Sequence, residues 1–177
     1  MQRRTLTALA ALLLAGGLAG PAAAHGPTRQ KVTETITIDA PADKVWALVH
    51  NFDALKDWHP AVEASPADKG NNEGSVRQLK LKGGGALTET LESHDEAKMR
   101  YSYRAKDGGA LPVTNYTSTI SVKSDGGKAV VEWRGAFYRG YPNNNPPADQ
   151  NDEAAVAAVT AVYKSGLANL KTIAEKK

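Results

Sequence analysis

The sequence predicts an α+β protein in which an antiparallel sheet packs against one long C-terminal helix. Three patterns indicate this class. Val32 to Ile38 alternates apolar and polar residues, which is typical of a strand with one wet face. Val62 to Tyr138 consists of short β-rich runs between glycine-rich turn clusters, and the chain after Pro147 has helical periodicity. The order of these patterns favours a single domain with one core.

Two short helices are expected directly after the first strand. Asp39 to Lys44 opens the first, because proline is tolerated at a helix start, and its apolar face follows at Val45, Trp46, Leu48 and Val49. Phe52 to Trp58 predicts a second helical turn, which Pro60 stops.

The middle of the chain predicts an antiparallel meander. Turn clusters at 68–74, 83–85, 107–109 and 124–127 separate the β-rich runs, and consecutive hairpins are the economical way to join them. Asn143 to Pro147 is a cluster of helix and strand breakers, which predicts a loop between the sheet and the last helix.

The last helix is predicted from about Asn151 to Glu175, a length of about 36 Å that would cross the whole sheet. Gly166 is the one weak point of this helix. Its apolar face repeats at three- and four-residue steps and comprises Val156, Val159, Tyr163, Leu167, Leu170 and Ile173.

The N-terminus predicts a secretory signal peptide over residues 1–24 and a domain over 25–177. Arg3 and Arg4 precede an apolar run from Leu6 to Leu18, and small residues follow up to Ala24. The apolar run is short for a membrane-spanning helix, and no later segment is long and apolar enough, so we expect no integral membrane association. The expected location is the periplasm.

The amino-acid composition excludes several kinds of covalent modification and binding partner. The chain has no cysteine, which excludes disulfides, a lipid-modified cysteine and c-type haem attachment. Removal of Arg3 and Arg4 with the signal peptide would leave 20 basic and 19 acidic residues, a balance that gives no argument for binding nucleic acid. No cofactor is expected.

The element order and seven short motifs resemble the SRPBCC or START-like superfamily. The motifs are Ala40–Trp46, Phe52 with Trp58–Pro60, Gly74–Arg77, Leu87–Leu91, Tyr101–Tyr103, Leu111–Pro112 and Val131–Trp133. This resemblance implies the helix-grip fold, in which an antiparallel sheet wraps around a long C-terminal helix. Birch-pollen-type allergens, lipid-transfer domains and the polyketide cyclase/dehydrase group share that fold.

Together with the export segment, the motif set is similar to that of the small periplasmic accessory proteins encoded with bacterial methanol dehydrogenase. That similarity implies a non-enzymatic protein that assists interaction or electron transfer between methanol dehydrogenase and its c-type cytochrome. Two alternatives stay open. The first is a periplasmic carrier of a small hydrophobic or amphipathic ligand, and the second, less favoured, is a cyclase-like enzyme that uses an inward acid or histidine.

Strand alternation predicts that Arg77 and Glu89 face inward together. Leu79 and Leu81 share the face of Arg77, while Leu87 and Leu91 share the face of Glu89. A buried guanidinium–carboxylate pair satisfies both charges. It would either pin the hairpin or offer a polar anchor to a ligand.

Inward aromatic residues give either a filled core or the wall of a ligand pocket. By alternation, Met99 aligns with Tyr101 and Tyr103, and Val131 aligns with Trp133 and Phe137. The candidate ligand contacts are Trp58, His59, Arg77, Glu89, Tyr101, Tyr103, Tyr116, Trp133, Phe137, Tyr163 and Leu167.

His59 has three interpretations: a general base, a metal ligand, or a residue that ends a helix. No serine pattern or orienting acid marks it as a base. No second histidine lies at helical spacing, so neither a catalytic nor a metal site is expected. We therefore expect His59 to end the short helix beside Trp58 at an exposed rim, together with the loop from Tyr138 to Pro147. His25 would become the amino terminus after cleavage and is a weaker candidate for copper binding.

Overall fold

The computed structural model describes residues 26–176. Within this range the chain forms seven strands and three α-helices, with a 3-10 turn at Phe52–Ala54. Their bounds are β1 Gln30–Ile38, α1 Ala42–Val49, α2 Leu55–Trp58, β2 Val62–Ala64, β3 Val76–Leu81, β4 Ala86–Asp95, β5 Arg100–Asp107, β6 Val113–Asp125, β7 Lys128–Arg139 and α3 Asp152–Ala174. The predicted α+β class and helix-grip arrangement are confirmed. The predicted signal peptide and His25 lie outside the described residues.

All seven strands form one antiparallel sheet in the order β1-β7-β6-β5-β4-β3-β2. Strands β2 to β7 follow one another as hairpins, which confirms the predicted meander. β1 then pairs along its whole length with β7, from Gln30 opposite Phe137 to Ile38 opposite Ala129. One face of this sheet is buried by α3 and by the segment from α1 to α2.

The long helix is fixed at both ends by side chains. The Asn151 carboxamide oxygen accepts the Ala154 N–H at 2.7 Å, which is an N-cap hydrogen bond. At the other end, Glu175 accepts the Asp39 N–H at 2.7 Å, and Lys44 donates to the Ala174 carbonyl at 2.8 Å. The predicted helix bounds are confirmed to within one residue.

Two glycines allow α3 to lie close to the sheet. Tyr163 of α3 stacks on Trp133 of β7, with ring centroids 4.4 Å apart and an interplanar angle of 15°. A Cβ on Gly135 would overlap the Tyr163 hydroxyl, and one on Gly166 would lie 2.6 Å from His59 Cδ2 and 2.9 Å from Trp133 Cζ3. Close contact with the rings therefore explains why a helix of this length tolerates glycine at 166.

A β-bulge in β6 resets the alternation of that strand. The register with β7 shifts between Thr114 and Thr117, so that Asn115 and Tyr116 lie opposite Phe137 alone. Asn115 has a positive φ of 49°, a conformation that asparagine tolerates better than most residues. As a result Tyr116 faces the core while Thr117 faces outward.

None of the helices in residues 26–176 combines the length and apolar character that crossing a membrane requires.

Replacing Gly166 with alanine should destabilise the protein, although alanine favours helices by about 1 kcal/mol. The added methyl group would press on His59 and Trp133, and overpacking of this kind costs roughly 1–3 kcal/mol. Urea unfolding followed by tryptophan fluorescence measures the change. Ser165→Ala, one residue earlier and exposed, is the control and should change the free energy of unfolding by less than about 0.5 kcal/mol. A Gly166→Ala protein as stable as the parent would contradict the close contact.

Candidate ligand-binding site

Arg77 and Glu89 form a buried ion pair across the β3–β4 hairpin, directly opposite each other in register. Nε and Nη2 of Arg77 donate to the same carboxylate oxygen, Oε2, at 2.9 and 2.6 Å. Their side chains are 1% and 4% exposed. The prediction that alternation draws both residues inside is confirmed.

The rest of the Arg77 guanidinium is held by the segment that leads into α2. Nη1 donates to the Phe52 carbonyl at 2.6 Å, and the guanidinium lies 4.0 Å from the Phe52 ring centroid and 5.0 Å from that of Tyr103. Burial alone would lower the pKa of Arg77, but the Glu89 carboxylate raises it and the net direction is upward. Arg77 therefore stays charged and joins the hairpin to the helical segment.

A chain of hydroxyl groups runs from β6 to α3. The Ser118 Oγ donates to the Arg134 carbonyl at 3.1 Å, so it must accept from the Tyr163 hydroxyl at 2.8 Å and from the Trp133 indole at 3.0 Å. Tyr163 in turn must accept from Tyr116 at 2.7 Å. Each hydroxyl proton of Tyr116, Tyr163 and Ser118 therefore has a defined acceptor.

Tyr103 is the exception. Its oxygen accepts the Trp133 indole N–H at 3.1 Å, but its own proton has no acceptor among the described residues. Burial, reinforced by the nearby Glu89 charge, raises the pKa of Tyr103 well above its ordinary value. Tyr103 is therefore a neutral hydroxyl with a proton to donate.

A cavity of about 70 Å³ lies between the β3–β4 hairpin, α2 and α3. Five of its lining residues carry polar atoms, namely His59, Glu89, Tyr103, Tyr116 and Trp133, and the remainder are apolar: Leu55, Ala61, Val62, Leu79, Leu81, Leu87, Leu111 and Val162. Ligand pockets occupy roughly 300–1,000 Å³, and a benzene-sized molecule needs about 150 Å³. In this conformation the cavity holds only a few non-hydrogen atoms.

The Glu89 carboxylate reaches this cavity with one oxygen free. Both hydrogen bonds from Arg77 go to Oε2, and Oε1 accepts none from residues 26–176. Two residues that line the largely apolar cavity therefore have an unused hydrogen-bonding group, an acceptor at Glu89 Oε1 and a donor at the Tyr103 hydroxyl.

His59 ends α2, as predicted, but it does so from inside the protein. Its backbone N–H donates to the Leu55 carbonyl at 2.8 Å. The ring Nε2 lies 3.0 Å from the Val162 carbonyl and the ring Nδ1 accepts the Ala61 N–H at 3.2 Å, so the proton must be on Nε2. Burial lowers the pKa of His59; the bond to Val162 opposes this, while Arg77 and Lys82 add to it. His59 is therefore neutral, and its hydrogen bond to Val162 joins the end of α2 to α3.

The prediction that Trp58 and His59 form an exposed rim is wrong. Their exposed fractions are 1% and 4%, and only Pro60 is exposed. The reason is that α3 covers the end of α2, where Asn169 donates to the Trp58 carbonyl at 2.8 Å. The Trp58 indole N–H is buried without a hydrogen-bond partner among the described residues. In the other rim segment, Asn143 to Asn145 are exposed.

The structure divides the predicted ligand contacts into two groups. Five line the cavity: His59, Glu89, Tyr103, Tyr116 and Trp133. The other six lie in the surrounding core: Trp58, Arg77, Tyr101, Phe137, Tyr163 and Leu167. Met99, which was predicted to align with Tyr101, lies in the turn before β5 with a positive φ of 47° and packs, partly buried, against the same core.

Eight lining residues were not among the predicted ligand contacts, and four of them lie at the mouth of the cavity. Leu81, Leu111 and Val162 are partly exposed there, and Ala61 is exposed. The alternation in β3 marks Leu81 as inward, but Leu111 and Ala61 lie in loops, where periodicity gives no signal. Ser118, which orders the hydroxyl chain, was also missed, because a serine on a strand gives no sign of burial.

The remaining histidines hold the β4–β5 turn against α1. His50 Nδ1 and the Trp46 indole contact the two carboxylate oxygens of Glu96 at 2.9 and 2.7 Å, and His94 Nε2 lies 2.7 Å from the His50 carbonyl. Across residues 26–176, no three His, Cys, Asp or Glu side chains gather closely enough to hold a metal ion.

Residues 29–175 match the family described as polyketide cyclase / dehydrase and lipid transport. The chain belongs to this family. An uncharacterised protein from Bacillus thuringiensis is 29% identical, with a TM-score of 0.69 over 83% of this chain and 100% of that one. Protein XoxI from Bacillus cereus is also 29% identical, with a TM-score of 0.68 over 81% and 94%.

The Zhui aromatase/cyclase from Streptomyces sp. R1128 is 18% identical, with a TM-score of 0.64 over 84% of this chain and 94% of that one. This likeness shows the shared fold and nothing finer.

The stability of the protein should fall below pH 6.5 because of His59. Its pKa is lowered from 6.5 in the fold, so the unfolded state binds more protons as the pH decreases from about 6.5. The contribution is fully present above pH 6.5 and is lost at up to about 1.4 kcal/mol per pH unit until the folded pKa is reached. Urea unfolding at pH 7.5 and 5.5 should show a smaller loss for His59→Gln than for the parent. An NMR titration in which the His59 ring protonates near pH 6.5 in the folded protein would contradict this.

Proposed function

We propose that the protein binds a small amphipathic molecule in the cavity beside the β3–β4 hairpin. The polar group of the ligand accepts a hydrogen bond from Tyr103 and donates one to Glu89 Oε1. The observation that carries this proposal is that two residues lining a largely apolar cavity have an unused donor and an unused acceptor. Polar groups that border an apolar cavity gain from a hydrogen-bond partner, and a ligand hydroxyl could serve both.

The polar group of the ligand should be neutral. Arg77 and Glu89 already balance each other, and both side chains are buried. A cationic ligand would add an uncompensated charge to a low-dielectric site, and an anionic one would face the Glu89 carboxylate. A hydroxyl or an amide fits this site better than an ammonium or a carboxylate.

A ligand larger than a few non-hydrogen atoms requires the mouth to open. Leu81 lies in β3, Leu111 in the loop before β6 and Val162 in α3; all three are partly exposed, so their side chains can move without breaking the sheet. The stacked rings of Trp133 and Tyr163 are buried, so we expect them to keep their positions when the mouth opens. The family description, which includes lipid transport, supports an amphipathic ligand.

Phenol and toluene test this proposal, since they differ only in the polar group. NMR titration of methyl-labelled protein should show phenol shifting the Leu79 and Leu87 methyl signals and binding more tightly than toluene. Tyr103→Phe removes one hydrogen bond, worth about 1 kcal/mol, so the preference for phenol should fall by about fivefold. Tyr101→Phe is the matched control, because Tyr101 is equally buried on the same strand but does not line the cavity. If neither compound binds, or if both variants lose the preference equally, the proposed site is wrong.

For the cellular role, we propose that the protein is a periplasmic accessory protein of methanol oxidation. Support comes from the sequence motifs and the export segment, which are similar to those of proteins encoded with methanol dehydrogenase. The protein would orient methanol dehydrogenase and its c-type cytochrome by contact. Affinity purification of the tagged protein from the periplasm of its own host should enrich one or both of these proteins over a tag-only control. Absence of both, or absence of the protein from the periplasmic fraction, would contradict the role.

A further inference from the structure

The outer face of the sheet carries two rows of basic side chains, with Arg134 and uncharged residues on the strands between them. Arg29 directly precedes β1 and Lys31 is its second residue, while Arg104 and Lys106 lie on β5; all four side chains are exposed. The register connects Lys31 to Ala136, Ala136 to Thr117 and Thr117 to Arg104. Three strand spacings therefore separate the two rows, a distance of about 14 Å.

The space between the rows is a groove. A hollow of about 260 Å³ lies between Arg29 on one side and Arg104 and Lys106 on the other. It meets a second hollow of about 520 Å³, lined by Lys31 and Arg134, at Thr117. The β6 bulge at Asn115 borders the groove and increases the local twist of the sheet. We call this continuous surface the basic groove.

Positive charge is in local excess in the basic groove. It contains five basic residues, Arg29, Lys31, Arg104, Lys106 and Arg134, against two acids, Glu92 and Glu132. The acids pair with Arg104 at 3.1 Å and Arg134 at 3.9 Å through half-exposed side chains. Such pairs contribute little and exchange readily for other partners. Residues 26–176 are neutral overall, with 19 basic and 19 acidic residues, so the excess belongs to this face.

The shape of the basic groove matches an extended chain. Within each row the two cations are two residues apart along a strand, a spacing of roughly 6.6 Å, which equals the spacing of alternate side chains in an extended peptide. The floor offers hydroxyl groups, with Thr33, Thr117 and Thr119 among its lining residues. The Arg29 guanidinium lies over this floor, 3.5 Å from the Thr117 hydroxyl and 5.7 Å from the Tyr138 ring centroid, so a narrow ligand between the rows can reach it.

We propose that the basic groove docks an extended acidic segment of a partner protein, with carboxylates directed to the Arg29–Lys31 row on one side and the Arg104–Lys106 row on the other. This surface is on the opposite face of the sheet from the cavity and does not depend on a ligand there.

A fluorescein-labelled octaglutamate peptide is the probe, followed by fluorescence anisotropy between 50 and 300 mM NaCl. Binding should weaken as salt rises, because the contacts are exposed ion pairs. Arg29→Gln combined with Lys106→Gln removes one cation from each wall and should reduce affinity about fivefold or more at low salt. Lys69→Gln combined with Lys82→Gln is the matched control, since it removes the same charge from exposed positions near the β3–β4 hairpin. The control should change affinity by less than twofold.

Three outcomes would overturn the proposal. The first is absence of peptide binding at 50 mM NaCl. The second is an equal loss of affinity in both double variants, which would mean unspecific attraction. The third is tighter binding to phosphatidylglycerol vesicles than to the peptide, with release by Arg29→Gln and Lys106→Gln, which would identify the surface as a membrane contact. Circular dichroism and the unfolding midpoint of both variants should match those of the parent, since all four side chains are exposed.

Discussion

The close approach of α3 to β7 is the constraint on which the rest of the structure depends. It is possible only because Gly135 and Gly166 carry no side chain where Tyr163, Trp133 and His59 need space. Ring stacking between Tyr163 and Trp133 then sets the distance between helix and sheet. Dense packing of this kind leaves little room for adjustment, so the helix is fixed in one position over the sheet.

This constraint also decides the size and the place of the cavity. The stacked Trp133 and Tyr163 rings fill the space between helix and sheet, and the cavity lies beside them, between Trp133 and the leucines of the β3–β4 hairpin. Glu89 of the Arg77–Glu89 pair lines this cavity. Since Arg77 uses only one carboxylate oxygen, the pair stabilises the hairpin and still leaves an acceptor at the cavity. The two roles that the sequence left open for this pair are therefore compatible.

Residues whose environment follows from strand or helix periodicity could be placed from the sequence. The inward position of Arg77 and Glu89 follows from the leucines at alternate positions of the same strands, and the extent of α3 follows from its apolar repeat. The burial of Trp58 and His59 could not be inferred in the same way, because it depends on where α3 lies, and that is a tertiary property. The bulge at Asn115 could not be predicted from the sequence either, because one inserted residue does not visibly change a short alternating pattern.

The same bulge serves both faces of the sheet. On the inner face it turns Tyr116 towards Tyr163, and so starts the hydroxyl chain that ends at the Arg134 carbonyl. On the outer face it directs Thr117 outward, where this residue forms part of the floor of the basic groove. Asn115 tolerates the positive φ that this requires. Because neighbouring residues of one strand support the cavity wall and the groove floor, the geometry of each surface is fixed by the same short stretch of backbone.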